Sequence, residues 1–589
     1  MSSKLFLNKN KLLRLIKDNL KYYFFSDFIK DFIKKKNSSH PNQQANWFGE
    51  KLENHVPKDE KIFFEKLNLK SFVLTADGVT KNVGLFKDYL KIDCFDLDQS
   101  KSHIQFSFWA KFWEKKSILK IKINDESYEF KNIKNLVYLH QKESWFDISI
   151  KIKNKFKFLE IFCENEEIFF TKPITYNHGQ NFNLLKNRDN VDHIIVIVLD
   201  GVVADYLNNK KLFYKDKYYS TNIDNYFKDY FKTNYAFSTS EWTLPAISSF
   251  FSGMYTSQHR LFKPREFNFY DNKLPSLPQK LKNNGFKTQF FSTGNRTTPL
   301  FGINKGFQRI FYSHPHGLTK SIFKTHDWIN KMIDFLEVYK NEKTFSYLHF
   351  PNTHQEWMTP GFDNLSFSLN RNDSLGLNLD KIEEDDAFRI ENLRIYEFDL
   401  IIENLFHYIN KNLNNRTGLI LTGDHGSPFY KKYSKTLAKI DDIRPTLNYK
   451  RTNVPFFCRF PDFIKKNYIS DGSQIVSSNL DLSKTILDLC KIDSLEFNNG
   501  VSIFDQENRR KFAISESIYN NLCEIAVINK EYSFFQRSQF DEKKFLIDQN
   551  QKSKKLFFKT NSNYNKNLMN EENTEFFEKI VENHINRYF

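Results

Sequence analysis

The stretch HIIVIVLD (residues 193–200) decides the fold. Residues 194–199 form a continuous, branched, apolar run, the composition of a central parallel strand covered on both faces. The run stops on Asp200, followed by Gly201. Ligands of open α/β sheets bind at the carboxyl ends of the strands, and a charge there is costly unless a metal or another partner satisfies it. Far downstream, TGLILT (417–422) repeats the design and runs into Gly423-Asp424-His425-Gly426. Two parallel strands that each end in an Asp bring those side chains to the same sheet edge. Asp200, Asp424 and His425 then make an oxygen, oxygen, nitrogen set suited to a divalent cation. One such Asp alone reads as a helix N-cap or turn residue; two matched strand ends with a His beside the second favour the metal.

The third piece is SEWTLPAISSFFSGMY (240–255), in which Ile247, Phe250 and Phe251 recur at helical spacing. Pro245 is tolerated only in a first helical turn. Thr243 is therefore predicted at or just before a helix N-terminus, where free N–H groups and the helix dipole favour an anion. A cap would account for Thr243 taken alone, but not for its company.

VIVLDGVVADYL (196–207), TLPAISSFFSGMYTSQH (243–259) and LTGDHG (421–426), in that order, resemble the sulfatase-like branch of the alkaline phosphatase superfamily. NNGFKTQFFSTGN (283–295), YLHFPNTHQEW (347–357), VPFFCRFPDF (454–463) and VSSNLDLSKTILDLCKI (476–492) fit the same pattern, so that the resemblance covers residues 190–589. It implies an α/β core with a mostly parallel central sheet, a small C-terminal antiparallel subdomain, and a divalent metal ion (Mg, Mn, Ca or Zn) held by Asp200, Asp424, His425 and Thr243. It implies Thr243 as nucleophile and His354 as the acid that protonates the leaving oxygen, a role for which His349 is the alternative. Arg296, His349 and Lys431 are candidates for holding an anionic substrate, with Arg394, Lys432 and Arg444 behind them.

Two departures from the family pattern bear on the chemistry. Formylglycine sulfatases carry Cys or Ser in the pattern C/S-x-P-x-R; here those positions are Thr243, Pro245 and Ile247. Oxidation of a Thr would give a ketone, so no formylglycine forms. A second Asp directly after the first is replaced by Gly201. Members of the branch with a Thr nucleophile are phosphodiesterases and phosphotransferases, so the site leans toward phosphorus. The alternatives are a sulfuric ester hydrolase working without formylglycine and a non-catalytic glycan-binding protein.

The chain has 589 residues, long enough for two to four domains, and with 40% hydrophobic and 17% aromatic residues it can build a large core. A net charge of +16 attracts anionic partners, such as phosphate- or sulfate-bearing glycans and anionic lipid surfaces. No nucleic-acid module is present in the sequence. Cys94, Cys163, Cys458, Cys490 and Cys523 are scattered without CxxC spacing, which argues for core thiols rather than a disulfide framework or zinc knuckle. The N-terminal residues lack a signal-peptide pattern and no apolar run approaches a membrane span, which sets the expectation of a cytoplasmic protein.

In order, residues 1–60 are expected to be a basic helical segment, docked on the body or lying peripherally on the inner face of a membrane. Residues 61–185 show short alternating, aromatic-rich runs such as KSFVLTA (70–76) and HIQFSFWA (103–110), the pattern of a sandwich-like accessory domain. Trp109, Trp113 and Trp145 there are either carbohydrate-binding aromatics or core. Residues 190–510 alternate strands and helices as the catalytic domain, with a polar loop at 362–384 over the site. Residues 511–589 form the C-terminal subdomain. The substrate expected from this combination is an anionic glycan or a lipid-linked sugar.

Overall fold

The computed structural model describes residues 56–589, leaving outside it 1–55, the internal segments 111–117, 132–144, 179–190, 263–272, 313–324, 354–383, 427–439 and 466–473, and several shorter stretches. Residues 1–55 of the expected basic helical segment, the expected loop as far as residue 383, His354, Lys431, Lys432, Arg444 and Trp113 therefore lie outside the described residues.

The N-terminal strands are β1 (Lys70–Ala76), β2 (Val79–Asp93), β3 (His103–Ala110), β4 (Ile118–Ile123), β5 (Glu126–Lys131), β6 (Phe146–Lys151), β7 (Phe158–Phe170) and β8 (Ile174–Tyr176). They pair antiparallel in the order β1-β2-β7-β3-β6, with β4 and β8 attached at β7 and β3. Their inward residues, among them Phe86, Leu90, Ile104, Phe106, Ile121, Leu159 and Ile161, form a core of their own. Trp109 is buried against Phe72, Leu74 and Phe169, with Trp145 packed beside it, so both are core-facing.

The central sheet contains β9 (His193–Leu199), β12 (Phe231–Phe237), β13 (Lys287–Ser292), β14 (Arg309–Tyr312), β15 (Thr344–Phe350), β16 (Thr417–Gly423), β17 (Asn453–Arg459) and β18 (Val476–Ser478). A small ribbon of β10 (Phe213–Tyr214) and β11 (Lys217–Tyr218) lies between the first two in sequence. The strand order is β14-β13-β15-β9-β16-β17-β12-β18. β9 sits at the centre, parallel to β15 and β16 and buried along its whole length. Alternation of side chains explains why both of its faces are apolar. Ile194, Val196 and Val198 pack on the helices Thr243–Ser252 and Leu480–Leu489. Ile195, Ile197 and Leu199 pack on the helices Thr325–Val338 and Glu384–Asn412. Each such side chain contributes about 2 kcal/mol by leaving water.

β17 runs antiparallel to both β16 and β12, which restores β12 to the direction of β9. The end of β12 at Phe237 thus reaches the same sheet edge as Asp200 and Asp424. That edge is where the chain turns into the helix Thr243–Ser252.

The C-terminal strands β19 (Ala513–Tyr519), β20 (Leu522–Ile528), β21 (Tyr532–Asp541), β22 (Leu546–Ile547) and β23 (Lys554–Lys559) form a separate antiparallel sheet. The final helix, Thr574–Tyr588, covers it with Phe577, Val581 and Ile585. Cys163, Cys458, Cys490 and Cys523 are buried thiols that form no disulfide among the described residues. Among the described residues no helix is long and apolar enough to cross a membrane.

Candidate active site

Leu199 of β9 stands beside Gly423 of β16 in the parallel ladder, so the next residues, Asp200 and Asp424, leave adjacent strands together. The backbone then fixes Asp424. Its Oδ1 accepts from the N–H of Gly201 at 3.0 Å and of His425 at 2.8 Å. Gly201 reaches this position with φ 70, a left-handed conformation that a glycine adopts without strain. The Asp200 N–H donates to the Phe350 carbonyl at 2.8 Å, and the Thr353 hydroxyl donates to the Asp200 carbonyl at 2.7 Å.

His425 faces both carboxylates. Its Nε2 lies 3.4 Å from Asp200 Oδ1 and 3.5 Å from Asp424 Oδ2. Its Nδ1 lies 2.7 Å from the Gly426 carbonyl oxygen, which only accepts, so Nδ1 carries a proton and Nε2 is turned to the cluster. Gly426 is held by its N–H to the Arg451 carbonyl at 2.7 Å. Burial works against a charge on His425, but the carboxylates of Asp424 and Asp200 outweigh it and raise the imidazole to about 9. Asp424 Oδ2 is buried with no hydrogen-bond partner among the described residues. The site therefore calls for positive charge between Nε2 and the carboxylates. The three ligand atoms lie within 4.8 Å of one another and suit one divalent cation.

Thr243 approaches the same atom. The turn 238–242 is tied to the Asp424 loop by the Ser238 hydroxyl, which donates to the Asp424 carbonyl at 2.5 Å, and by Asn479 Nδ2, which donates to that carbonyl at 2.9 Å. Glu241 accepts from the hydroxyls of Ser240 at 3.0 Å and Ser517 at 2.5 Å. Trp242 holds the cap position without a side-chain hydrogen bond, and Thr243 is the first helical residue, so its hydroxyl is not spent on capping. Thr243 Oγ1 lies 3.3 Å from His425 Nε2, with the side chain 4% exposed at the N-terminal end of the helix.

His349 on β15 is fully buried and faces the carboxylates, with Nε2 3.2 Å from Asp200 Oδ2. Arg296 lies on a short 3-10 turn after β13, its guanidinium 5.9 Å from the centre of the Trp242 ring. Arg394, a further candidate for holding an anionic substrate, is 2% exposed on the helix Glu384–Asn412. Asp205 accepts from Lys450 Nζ at 2.6 Å and so fixes the segment before β17. The structure thus brings together Asp200, Asp424, His425, Thr243 and His349. Ser238 and Asn479 were not singled out in the sequence, because a single hydroxyl or amide residue beyond a strand end carries no pattern.

The sulfatase family model matches residues 192–492, just over half of the chain. A phosphonate monoester hydrolase of Agrobacterium radiobacter is similar in structure, with TM-score 0.51 and 13% identity over 68% of this chain and 96% of that one. A phosphonate monoester hydrolase from Silicibacter pomeroyi gives TM-score 0.48 and 12% identity over 68% and 96%. A 2-O GAG sulfatase gives TM-score 0.49 and 13% identity over 68% and 92%. No curated protein matches the chain in sequence. Sulfatase-family proteins generally bind a divalent metal, and the Asp200, Asp424 and His425 set is compatible with one. The match spans β9, the Thr243 helix and the Asp424-His425 loop together, and the chain belongs to the sulfatase family, as a hydrolytic enzyme of the alkaline phosphatase superfamily.

Proposed function

We propose that the chain cleaves a phosphate ester, above all a phosphodiester, or a sulfate ester through a covalent intermediate on Thr243, and passes the group to water or to a sugar hydroxyl. The observation that carries this reading is the 3.3 Å approach of Thr243 Oγ1 to His425 Nε2, the atom that also faces both carboxylates. Asp200, Asp424 and His425, with Thr243 Oγ1 beside them, would hold the divalent cation. Such an ion supplies Lewis acidity and lowers the pKa of a hydroxyl next to it.

The chain's own groups do the rest. Thr243 Oγ, its proton released to solvent, bonds to phosphorus as the ester P–O bond breaks and the departing oxygen takes a proton from His354. The first-turn N–H groups of the Thr243 helix face the oxygens on which charge develops. Arg296, steadied on Trp242, and Lys431 offer cations to an anionic glycan or lipid-linked sugar. Water or a sugar hydroxyl then gives a proton back to His354 and attacks phosphorus, and the P–Oγ bond breaks and Oγ takes up a proton to restore Thr243. Phosphorus is favoured over sulfur by two residues. Thr243 does not yield formylglycine, and Ile247, at the position of the supporting Arg, is 1% exposed inside the apolar core.

The test is turnover of nitrophenyl phosphate monoester, phosphodiester, phosphonate and sulfate with each of Mg, Mn, Ca and Zn. Phosphodiester turnover above the sulfate rate is expected. Turnover confined to the sulfate ester would refute the phosphorus reading.

A further inference from the structure

Two histidines flank the carboxylates of Asp200 and Asp424, and the structure gives them opposite proton arrangements. His425 gives its Nδ1 proton to the Gly426 carbonyl at 2.7 Å, which leaves Nε2 for a cation. His349 is reversed. Its Nδ1 lies 3.2 Å from the hydroxyl of Tyr347, two residues back on the same strand and on the same face. Tyr347 is 0% exposed, and Nδ1 is the hydrogen-bond partner its hydroxyl has among the described residues. A buried phenol that failed to donate would leave its proton unmet. The phenol therefore donates to Nδ1, and the ring proton of His349 sits on Nε2. That proton points at Asp200 Oδ2, 3.2 Å away, with Asp424 Oδ2 at 4.0 Å. The other tautomer would set a nitrogen lone pair against a carboxylate and strand the phenol as well. With His349 itself 0% exposed, a substrate has no access to it, and whatever it does passes through Asp200.

We propose that His349 is a positioning residue: as the Nε2–H donor to Asp200 Oδ2, with its tautomer set by Tyr347, it holds the Asp200 carboxylate in the rotamer that turns Oδ1 toward His425 and presets the cation site. The inference rests on Asp200, Asp424 and His425 being the metal ligands. It removes His349 from the residues that could touch substrate and gives β15 a part in metal binding that the ligand set alone does not show. Partners of this kind commonly govern affinity by orienting a ligand they never replace.

The experiment is a Co(II) titration of the full-length protein followed by visible absorption, which reports ligand number as well as affinity, on wild type, His349→Gln and His349→Leu. The glutamine amide restores an N–H donor near the place of Nε2; leucine fills the space and donates nothing. The leucine variant is expected to bind Co(II) about 10–100-fold more weakly, and the glutamine variant within about 3-fold of wild type. At saturation all three should share one absorption band, because the ring is not a ligand. An unchanged affinity in the leucine variant overturns the proposal. So does an equal loss in both variants, or a glutamine variant with an altered band, which would make His349 a ligand. Should the leucine variant fail to fold, Tyr347→Phe carries the test: it removes the phenol donor alone, is expected to weaken Co(II) several-fold, and overturns the proposal if it does not. A wild type that takes up no Co(II) refutes the metal reading itself, and the inference with it.

Discussion

Asp424 shows how single residues make this site. One oxygen is taken by two backbone N–H groups, and the other is buried facing His425. Asp424→Asn keeps the accepting oxygen and removes the charge. Bound metal after dialysis, measured by elemental analysis, is expected to fall at least tenfold, and unchanged content would contradict the ligand assignment. Gly426 is as constrained as the ligands. A Cβ there would collide with the Lys450 carbonyl oxygen, on the segment that accepts the Gly426 N–H. Gly426→Ala should cost about 1–3 kcal/mol in urea unfolding and weaken metal binding as His425 shifts. A variant as stable as wild type would show that the loop yields. Asp200, Asp424 and His425 were legible in the sequence because strand ends carry a recognisable punctuation: apolar run, carboxylate, glycine. The Tyr347–His349–Asp200 and Ser238–Asn479–Asp424 links were not, since they join residues far apart in sequence through hydroxyls and amides that any surface loop also contains.

At the scale of elements, β9, β15 and β16 could be read as strands because burial on both faces demands unbroken apolar runs. β2 could not. Lys81 to Gly84 are all buried, so the period of two shows only further on, at Phe86, Leu90 and Ile92. The helix Thr243–Ser252 was legible from Pro245 and the Ile247-Phe250-Phe251 spacing, and the structure adds its fastening. His259, on the following short helix, meets the Ser249 hydroxyl through Nε2 at 3.1 Å, and its Nδ1 accepts from the Leu261 N–H at 3.1 Å. Complete burial lowers its pKa to about 4. A histidine depressed in the folded state binds protons more readily when unfolded. Its stabilising effect is therefore full above about pH 6.5 and is lost as the pH falls toward 4, by about 3 kcal/mol in all. Urea midpoints across this range should fall more steeply in wild type than in His259→Gln. Parallel profiles would show that the group does not titrate on unfolding.

Across the whole molecule, the C-terminal sheet shares an apolar cluster with the central sheet through Phe237, Val476, Ala526 and Phe535, and the N-terminal sheet is fastened to the central one by polar contacts. Glu342, just ahead of β15, accepts from Lys101 Nζ at 2.8 Å and from the Asn177 N–H at 2.9 Å, both in the N-terminal sheet region. Arg309 of β14 donates to the carbonyls of Lys172 at 3.2 Å and Gln105 at 3.0 Å. Lys81 of β2 bonds Asp147 at 2.9 Å and stands over the Phe311 ring of β14 at 5.3 Å. The N-terminal region is thus expected to melt with the catalytic sheet in one calorimetric transition. Glu342→Ala should lower stability by about 1–2 kcal/mol, because it leaves the half-buried Lys101 ammonium and the Asn177 N–H unmet. Two separable transitions in wild type would show that the region is an independent module. The sequence announced this region's strand content but not its docking, because residues such as Lys101, Glu342 and Arg309 look like surface charges until the sheets are assembled.

The most direct measurement is acid quench of the enzyme turning over a nitrophenyl phosphodiester with its metal, followed by peptide mass mapping. The account predicts the transferred phosphoryl group on the peptide that contains Thr243, and no adduct in Thr243→Ala, whose turnover should fall at least about a thousandfold. An adduct on another residue, or a Thr243→Ala variant that keeps its turnover, would contradict it.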